Sequence, residues 1–399
     1  MKKMLVLLLT LCLLAGMVPL GAGAVENTAT VSTREGLKEA LENESVSVIS
    51  LQNTIDMGET AWQPVVINRE LTINGNDYSI SNLHVTEPVL PSDSSGEAGT
   101  GSSCDYYSGF IGWNTGKLTL NDLAFKGAEI DINPLSEDST GSSILAVPVA
   151  NNTGTLVYNN VTVDNSVVRG YTKVGLLHGF TQDEGSFTAN KCSITNSSVV
   201  LEADGTDKEA AFSGIIVGYD GNNKSKTNGI SLSNNSISID NSVDWGQTPV
   251  VKDGVTSVGT WGLTCDTYTH GSYGTQKVFF VAEVDGYQYE TLSDAISAAT
   301  ENATVKLLKG TTENVTISKD KTLTLDLNGK TLTGTVEVSG ALIIQDSTVT
   351  GEPTVSGDYE NVTYTSGKIT SSGTTVKATN GGTVTLKSGL LESTGNIAL

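Results

Sequence analysis

A short pattern recurs four times in the middle of the chain and restricts its fold more than any other feature. Each copy has an asparagine, an apolar residue two positions later and a second apolar residue two positions after that. Alternation with a period of two is typical of half-buried strands. Recurrence every 31 to 45 residues indicates coils whose equivalent side chains stack, so the sequence predicts an all-β parallel β-helix. The asparagines are Asn121, Asn159, Asn190 and Asn235; the apolar positions are Leu123, Val161, Cys192 and Ile237, then Phe125, Val163, Ile194 and Ile239.

The repeated asparagines allow two interpretations. Asparagine tolerates left-handed backbone at corners, and its amide can bond to the asparagine of the next coil, which would give an internal ladder. Alternatively, outward rows of asparagine and aspartate would bind calcium or sugar. We favour the ladder. Aliphatic residues fill the place of Cys192 in the other copies, which predicts a buried small hydrophobe there and not a nucleophile.

The chain also repeats its own opening. Ser32-x-x-Glu35 and Thr291-x-x-Asp294 each have the spacing of a helix capping box and overlap a short amphipathic segment. We predict two tandem β-solenoid units, each of which begins with a short helix that covers the unpaired edge of the first coil. The strands predicted to follow are 46–51, 65–67 and 71–75 in the first unit and 303–308, 314–317 and 323–329 in the second.

The N-terminus reads as a bacterial secretory signal. Lys2 and Lys3 precede an apolar run from Met4 to Leu14, and Ala22-Gly-Ala24 gives the small-x-small cleavage pattern. The apolar run is shorter than the roughly 20 residues that cross a bilayer. We therefore expect a secreted or cell-surface protein whose mature chain has no membrane span.

Length suggests two domains. The predicted organisation is a signal peptide at 1–24, a β-helix domain at 25–245, a connecting or capping segment at 246–276 and a second β-helix domain at 277–399. Because the last residues read as the inside of a coil, we expect the second domain to be truncated and the chain to be part of a longer polypeptide.

The net charge limits the classes of partner, and the number of cysteines limits the possible disulfide bonds. Removal of residues 1–24 takes away two of the 23 basic residues, leaving 21 against 44 acidic residues. Such a negative field repels nucleic acid, and we expect no nucleic-acid partner. The three remaining cysteines cannot form a closed framework; a Cys104–Cys265 bridge and unpaired cysteines both stay open.

A glycine motif precedes three of the four asparagine repeats: Gly109-Phe-Ile-Gly112, Gly175-Leu-Leu-His-Gly179 and Gly214-Ile-Ile-Val-Gly218. With these residues the chain resembles the right-handed β-helix superfamily that includes pectate lyases. Residues 105–245 are similar to the GLUG-type repeats of bacterial adhesins and IgA-peptidase-like proteins, and the second unit resembles β-helix segments of surface proteins from Gram-positive gut bacteria. The resemblance implies a right-handed, extracellular, multi-repeat architecture. It implies no activity.

An enzymatic alternative, a polysaccharide lyase or glycoside hydrolase on a β-helix scaffold, has one constellation in its favour. This consists of Arg169, His178, Asp183 and Glu184, which could equally be solvated loop residues. General acid and base catalysis on a polysaccharide needs two carboxylates on one face of the protein. The histidines do not have the sequence spacing of metal ligands. We predict no catalytic residue, no metal ligand and no cofactor, with structural calcium left open.

The leading hypothesis is a non-enzymatic, adhesin-like surface protein that displays or binds extracellular polysaccharide or host glycoprotein. A stiff solenoid presents long rows of side chains, which suits extended ligands. Aromatic residues could form a platform for sugar rings, or they could pack under loops and caps. The candidates are Trp62, Tyr106, Tyr107 and Trp113.

Overall fold

The computed structural model confirms the all-β prediction. It describes residues 27–88, 106–132, 143–170, 173–182, 184–201, 212–220, 224–239, 250–252, 255–257, 267–270, 274–277, 280–349 and 366–395. Within these residues the helices are α1 (Arg34–Glu42) and α2 (Leu292–Ala298), and all other regular structure is β. The predicted signal peptide and the Cys104–Cys265 pair lie outside the described residues.

Four parallel sheets run along the first unit, and the chain visits them in the order one to four in each complete coil. Sheet 1 continues into the second unit, where it is joined by sheets 5 and 6. Sheet 1 has strands Thr28–Val31, Val48–Leu51, Ile55–Asp56, Glu70–Asn74, Ser79–Ser81, Lys117–Asn121, Ala124–Lys126, Thr155–Asn159, Thr162–Asp164, Ser186–Thr195, Ser225–Ser233, Ala282–Val284, Tyr287–Tyr289, Thr304–Leu307, Thr322–Asp326, Ala341–Gln345 and Thr383–Leu386.

The other sheets are shorter. Sheet 2 has strands His84–Val85, Glu129–Asp131, Val167–Gly170, Ser198–Leu201 and Ser236–Ile239; sheet 3 has Tyr106–Ser108, Ser143–Leu145, Lys173–Gly175 and Phe212–Gly214; sheet 4 has Val65–Ile67, Ile111–Asn114, Val149–Asn152, His178–Thr181 and Val217–Asp220. Sheet 5 has Thr311–Thr312, Thr331–Thr333, Lys368–Ser371 and Leu390–Ser393; sheet 6 has Val315–Ile317, Val336–Val338 and Val376–Ala378. Antiparallel pairs join Val250–Lys252 to Val255–Ser257 and Thr267–His270 to Gly274–Lys277. In the described part of the chain, no helix has the length and apolar character needed to cross a membrane.

Equivalent apolar side chains stack in register, as the repeat predicted for three of its four copies. Leu123, Val161 and Cys192 follow one another in successive coils and are buried. The next member is Ile230, because Cys192 pairs with it. Ile237 was therefore the wrong choice: it pairs with Val199 in sheet 2. Residues 228–232 also fit the asparagine pattern, so the sequence offered two registers and the shorter interval of 38 residues is the one adopted.

The asparagines form the ladder that the structural interpretation predicted. Each Nδ2 donates to the Oδ1 of the coil before it, at 2.9 Å for Asn121 to Asn74, 2.8 Å for Asn159 to Asn121, 2.8 Å for Asn190 to Asn159 and 2.9 Å for Asn228 to Asn190. Asn235 is not a member. Its Oδ1 accepts from the Ser197 N–H at 3.0 Å, and its Nδ2 donates to the Ile194 carbonyl at 2.7 Å.

Left-handed backbone lies one residue after the ladder and not at the ladder asparagines. Asp122, Asn160, Lys191 and Gly229 all have positive φ. A second corner, before sheet 2, has positive φ at Asn82, Gly127, Asn165, Asn196 and Asn234. Glycine and asparagine reach this region at the lowest cost, which explains their frequency at the corners.

In both helices, a basic side chain from a later strand or turn donates hydrogen bonds to the last carbonyl groups. Arg69 Nη2 donates to the carbonyl of Leu41 at 2.8 Å near the end of α1, and Lys321 Nζ donates to those of Ser297 and Ala299 at 2.6 and 2.8 Å at the end of α2. A cation is favourable where the last carbonyls of a helix lack partners.

The helix starts agree with the prediction in one case. Thr291 caps α2, and its Oγ1 accepts from the Asp294 N–H at 3.0 Å. The residue that caps α1 is Thr33, which accepts from Gly36, and not Ser32. The capping motif therefore located the helix to within one residue.

The opening hairpin of the second unit covers the last described sheet 1 strand of the first. Strand Tyr287–Tyr289 pairs antiparallel with Ser225–Ser233, and Glu290 accepts hydrogen bonds from the backbone N–H (2.9 Å) and the hydroxyl of Thr227. The hairpin turns through Asp285 and Gly286, both with positive φ, as a type I′ turn requires. Buried apolar residues form one cluster from Val31 to Phe280 and another from Val281 to Val376. The predicted boundaries at 245 and 277 stay a prediction.

Substitution Asn159→Ala tests the ladder. It removes two hydrogen bonds and leaves Asn121 Oδ1 and Asn190 Nδ2 half-buried without them, so we expect a loss of about 2–3 kcal/mol in the free energy of unfolding. Thr119→Ala, on the outer face of the same sheet, is the matched control and should lose less than about 1 kcal/mol. Urea unfolding followed by circular dichroism measures both. Equal losses would show that the ladder adds no stability.

Candidate functional site

The site begins at the glycine turns between sheets 3 and 4. In the turn after strand Lys173–Gly175, Leu176 and Leu177 are buried in the core, and the chain returns at once into strand His178–Thr181. A Cβ at Gly175 would lie 2.0 Å from the His178 carbonyl oxygen, and one at Gly109 would lie 2.4 Å from that of Ala146. These distances are far below contact. Glycine is therefore required for the walls of sheets 3 and 4 to meet at the turn.

An apolar cluster separate from the core fills the space between these two walls. We call it the outer cluster: Tyr107, Ile144, Ala150 and Phe180, with Trp113 and Tyr219 packed against them. The ring centroids of Tyr107 and Trp113 are 5.6 Å apart at 62°, and those of Phe180 and Tyr219 are 5.2 Å apart at 21°. Both are favourable aromatic geometries. Lys173 Nζ lies 4.4 Å from the centre of the Phe180 ring, a cation–π contact.

The register of sheet 4 places three residues of the outer cluster in one line along the β-helix, together with two residues outside it. We call this line the rim row; it consists of Val66, Trp113, Asn151, Phe180 and Tyr219. Val66 is 42% exposed, Trp113 and Tyr219 are half-buried, and Phe180 and Asn151 are buried. Trp113 and Tyr219 are three coil steps apart, or about 14 Å at roughly 4.8 Å for each step.

Buried oxygen atoms without hydrogen-bond partners lie in the same strands. They are Ser108 Oγ, Asn114 Oδ1 and Asn151 Oδ1, and Tyr158 Oη is a further one inside the core. Asn151 Nδ2 donates weakly to Gln182 Oε1 at 3.4 Å, whereas its Oδ1 has no partner among the described residues. A buried acceptor left in this state costs about 1–3 kcal/mol. The first coils of the rim row therefore contain buried hydrogen-bond acceptors that have no donor in the described structure.

The structure brings together two of the four predicted aromatic residues, Tyr107 and Trp113. Tyr107 and Trp113 belong to the outer cluster, and the half-buried Tyr106 precedes Tyr107 in the same strand. Trp62 was wrong as a platform residue because it is only 1% exposed. It stacks on Phe110 at 5.5 Å and donates through Nε1 to the Phe110 carbonyl at 2.9 Å. Arg34 and Lys38 of α1 lie over its ring, so it packs under the cap.

The sequence analysis missed Phe180 and Tyr219, although a signal was present. Trp113, Phe180 and Tyr219 each directly follow the second glycine of a glycine motif. Because the motif forms the turn, the residue after its second glycine is the third of the sheet 4 strand and lies at the same height in each coil. An aromatic residue at that position therefore marks the rim row.

The predicted enzymatic constellation is not assembled. His178 is fully buried: Nδ1 lies 3.0 Å from the Val149 carbonyl oxygen, Nε2 lies 3.0 Å from Thr181 Oγ1, and the ring packs on Phe187. Burial lowers the pKa of His178 to about 4. Glu184 is exposed and pairs with Lys224 at 2.5 Å, a hydrogen bond that lowers the pKa of its carboxyl. Arg169 lies in sheet 2, and Asp183 lies outside the described residues.

The most enclosed acidic side chain in the described residues is held by loop hydrogen bonds. No group of three histidine, cysteine or acidic residues there could hold an ion. The most enclosed carboxylate, Asp346, accepts from the N–H groups of Gly329 at 2.9 Å and Thr348 at 3.0 Å. Burial opposes its ionisation, but these bonds, the Thr348 hydroxyl and the Gly367 N–H lower the pKa of Asp346. Its role is to fix two loops of the second unit.

Comparison with known proteins gives one family match and two similar solved structures. Residues 28–169 match a family model described as a "putative pectate lyase-like adhesive domain". Among solved structures, the chain is similar to a "putative immunoglobulin A1 protease" from Bacteroides ovatus, with 12% identity and a TM-score of 0.33 over 90% of this chain and 84% of that one. It is also similar to the SRRP of L. reuteri 53608, with 12% identity and a TM-score of 0.20 over 92% of this chain and 98% of that one. No curated protein matches.

The family match supports the pectate-lyase-like part of the predicted resemblance. The matched residues include Trp113 and Asn151 of the rim row and end before Phe180. The likeness to GLUG-type repeats and to proteins of gut bacteria stays a prediction.

Substitution Gly175→Ala tests the contact between the two walls. Its Cβ would meet backbone atoms of His178 and Gly218 that cannot move independently, so we expect a loss of about 3 kcal/mol or more in unfolding free energy. Gly373→Ala is the control, since nothing lies within 4 Å of a Cβ there. Thermal unfolding measures both variants. A Gly175→Ala protein as stable as the control would contradict the close approach of the walls.

The buried histidine predicts a pH dependence. In the unfolded chain His178 takes up a proton near pH 6.5, whereas in the folded protein it stays neutral until about pH 4. Stability is therefore lost as the pH falls from 6.5 to 4, by up to about 3 kcal/mol from this residue. His178→Gln should lose less stability than the wild type between pH 7 and pH 4.5. Parallel pH profiles for the two proteins would show that His178 is accessible to protons in the folded state.

Proposed function

We propose that the chain is a non-enzymatic adhesive protein, secreted or held at the bacterial cell surface, that binds extracellular glycan along the rim row. The observation that carries this proposal is the outer cluster. Its rings are excluded from the main core, yet they are held in fixed positions by the walls of sheets 3 and 4. The apolar face of a sugar packs against such rings, and rigid aromatic residues lose little entropy on binding.

Three further observations support the proposal. Residues 28–169 match the adhesive-domain model. The half-buried residues at the two ends of the aromatic set, Trp113 and Tyr219, are three coil steps apart, so a ligand could contact both. The negative charge of the chain disfavours nucleic acid as a partner, because 44 acidic residues face 23 basic ones. Host glycoprotein glycans and free polysaccharide share the chemistry that this surface would recognise.

The polysaccharide-active alternative has less support. A β-helix hydrolase or lyase needs an acid and a base that reach the substrate. Of the predicted set, His178 is enclosed in the core and Glu184 is paired with Lys224. No described member of that set is available on the rim row.

The test is glycan binding by the whole chain on an array of host and plant oligosaccharides. The double variant Trp113→Ala, Tyr219→Ala should weaken binding at least 10-fold, equivalent to about 1.4 kcal/mol. Tyr78→Ala, which alters a tyrosine 39% exposed and outside the row, is the matched control. Unchanged binding by the double variant would contradict the site. Release of reducing sugar from a bound polysaccharide by the wild type would favour the enzymatic alternative.

A further inference from the structure

The last described coil of the second unit exposes apolar side chains whose counterparts in the preceding coils are buried. Leu325 pairs with Ile344, and Ile344 pairs with Leu386, so the three side chains stack along the axis. Leu325 and Ile344 are 0% exposed, whereas Leu386 is 46% exposed. Val384 and Leu391 continue two further buried stacks and are half-buried. The apolar interior of the second unit is therefore partly open to solvent at this coil.

The corresponding coil of the first unit is covered. Ile230 continues the stack of Cys192, and it is 0% exposed. Its strand pairs antiparallel with strand Tyr287–Tyr289 of the second unit. The Tyr289 side chain lies directly against Gly229, where a Cβ would be 3.0 Å from the tyrosine hydroxyl oxygen. A hairpin laid across the coil thus accompanies the burial of the last apolar side chain in this stack.

We propose that the last described coil of the second unit is a docking surface for another β-solenoid unit, and that the segment which docks is an antiparallel hairpin. We call this surface the end patch; it consists of Val384, Leu386 and Leu391. The occupant has the chemistry of the hairpin from Ala282 to Tyr289, which begins the second unit. This proposal concerns a different surface from the rim row and does not depend on glycan binding.

Backbone pairing and apolar burial both favour such an occupant. Strand Thr383–Leu386 pairs with Ala341–Gln345 on one side, and no strand of the described ranges pairs with its other side. An open sheet edge with apolar side chains readily accepts a further strand. In the existing hairpin, Ala282, Val284 and Tyr289 are buried. A hairpin of this kind therefore brings both an edge strand and apolar side chains to the end patch.

The charges of the two surfaces are complementary. Lys387 directly follows Leu386, Lys377 lies in the last described strand of sheet 6, and both are exposed. The opening hairpin carries Glu283 and Asp285, and Glu290 follows its second strand. Opposite charges on two surfaces favour their encounter and select the correct partner. The hairpin thus fits the end patch in charge as well as in backbone pattern.

Thiol accessibility of the end patch tests the proposal. Leu386→Cys is introduced into the whole chain together with Cys104→Ser and Cys265→Ser, and its rate of reaction with a maleimide is measured. The same protein is then extended through a flexible linker by a second copy of residues 280–399, which begins with the hairpin. We expect the thiol of the extended protein to react about 10-fold more slowly, because docking buries it.

Two controls make the test specific. Val349→Cys, at a position 39% exposed and outside the end patch, should react at the same rate in the extended and unextended proteins. A second extension that starts at residue 290 lacks the hairpin and keeps the helix and the later strands. With this extension, the thiol at position 386 should react as fast as in the unextended protein. Circular dichroism and melting curves confirm that each protein is folded.

Each outcome decides for or against the proposal. Slower reaction only when the hairpin is present supports it. Equal rates in the extended and unextended proteins overturn it, and this comparison does not depend on the second extension. Equal protection by the extension without a hairpin also overturns it, since a parallel coil would then be the occupant. If the unextended chain becomes protected as its concentration rises, a second copy occupies the end patch and the proposal is again overturned.

Discussion

The stacking of one coil on the next in strict register is the constraint on which the rest of the structure depends. A shift of one residue in any strand would turn its apolar side chains out of the core. The asparagine ladder opposes such a shift, because the amides of Asn121, Asn159 and Asn190 both donate and accept along the axis. The left-handed residue that follows Asn121, Asn159, Asn190 and Asn228 then bends these coils at the same place. Register, corner and core are therefore fixed together.

The glycine turns convert this uniform solenoid into one with an indented surface. Because Leu176 and Leu177 enter the core while Gly175 and Gly179 let the walls approach, the coil folds inwards between sheets 3 and 4. Side chains on these walls face each other and not solvent. They form the outer cluster, and the side chains at its edge become the rim row. The candidate site thus arises from backbone contacts that only glycine allows.

Most of the architecture could be predicted from the sequence, because the stacking of coils is encoded locally as alternation and repetition. Leu123, Val161, Cys192 and both capping helices show this. Asn235 was assigned wrongly because residues 228–232 satisfy the same pattern, and only pairing with the preceding coil decides between the two registers. Tertiary contacts also decide that Trp62 is buried under the helix α1 whereas Trp113 lies half-buried on the rim row. His178 follows a glycine turn and resembles a loop residue, yet the turn points into the core. Such distinctions depend on which wall faces which, and that is not a local property.

The antiparallel joint between the units has a mechanical consequence. An adhesin of the kind proposed for this chain experiences tension along its length when the bound partner moves relative to the cell. Here the hairpin of the second unit is hydrogen-bonded directly to strand Ser225–Ser233, and Glu290 holds Thr227 beside it. A pulling force between the units is therefore shared by several bonds loaded at once and does not pass only through the connecting chain. The joint would therefore be stiff and would keep the two units aligned under tension.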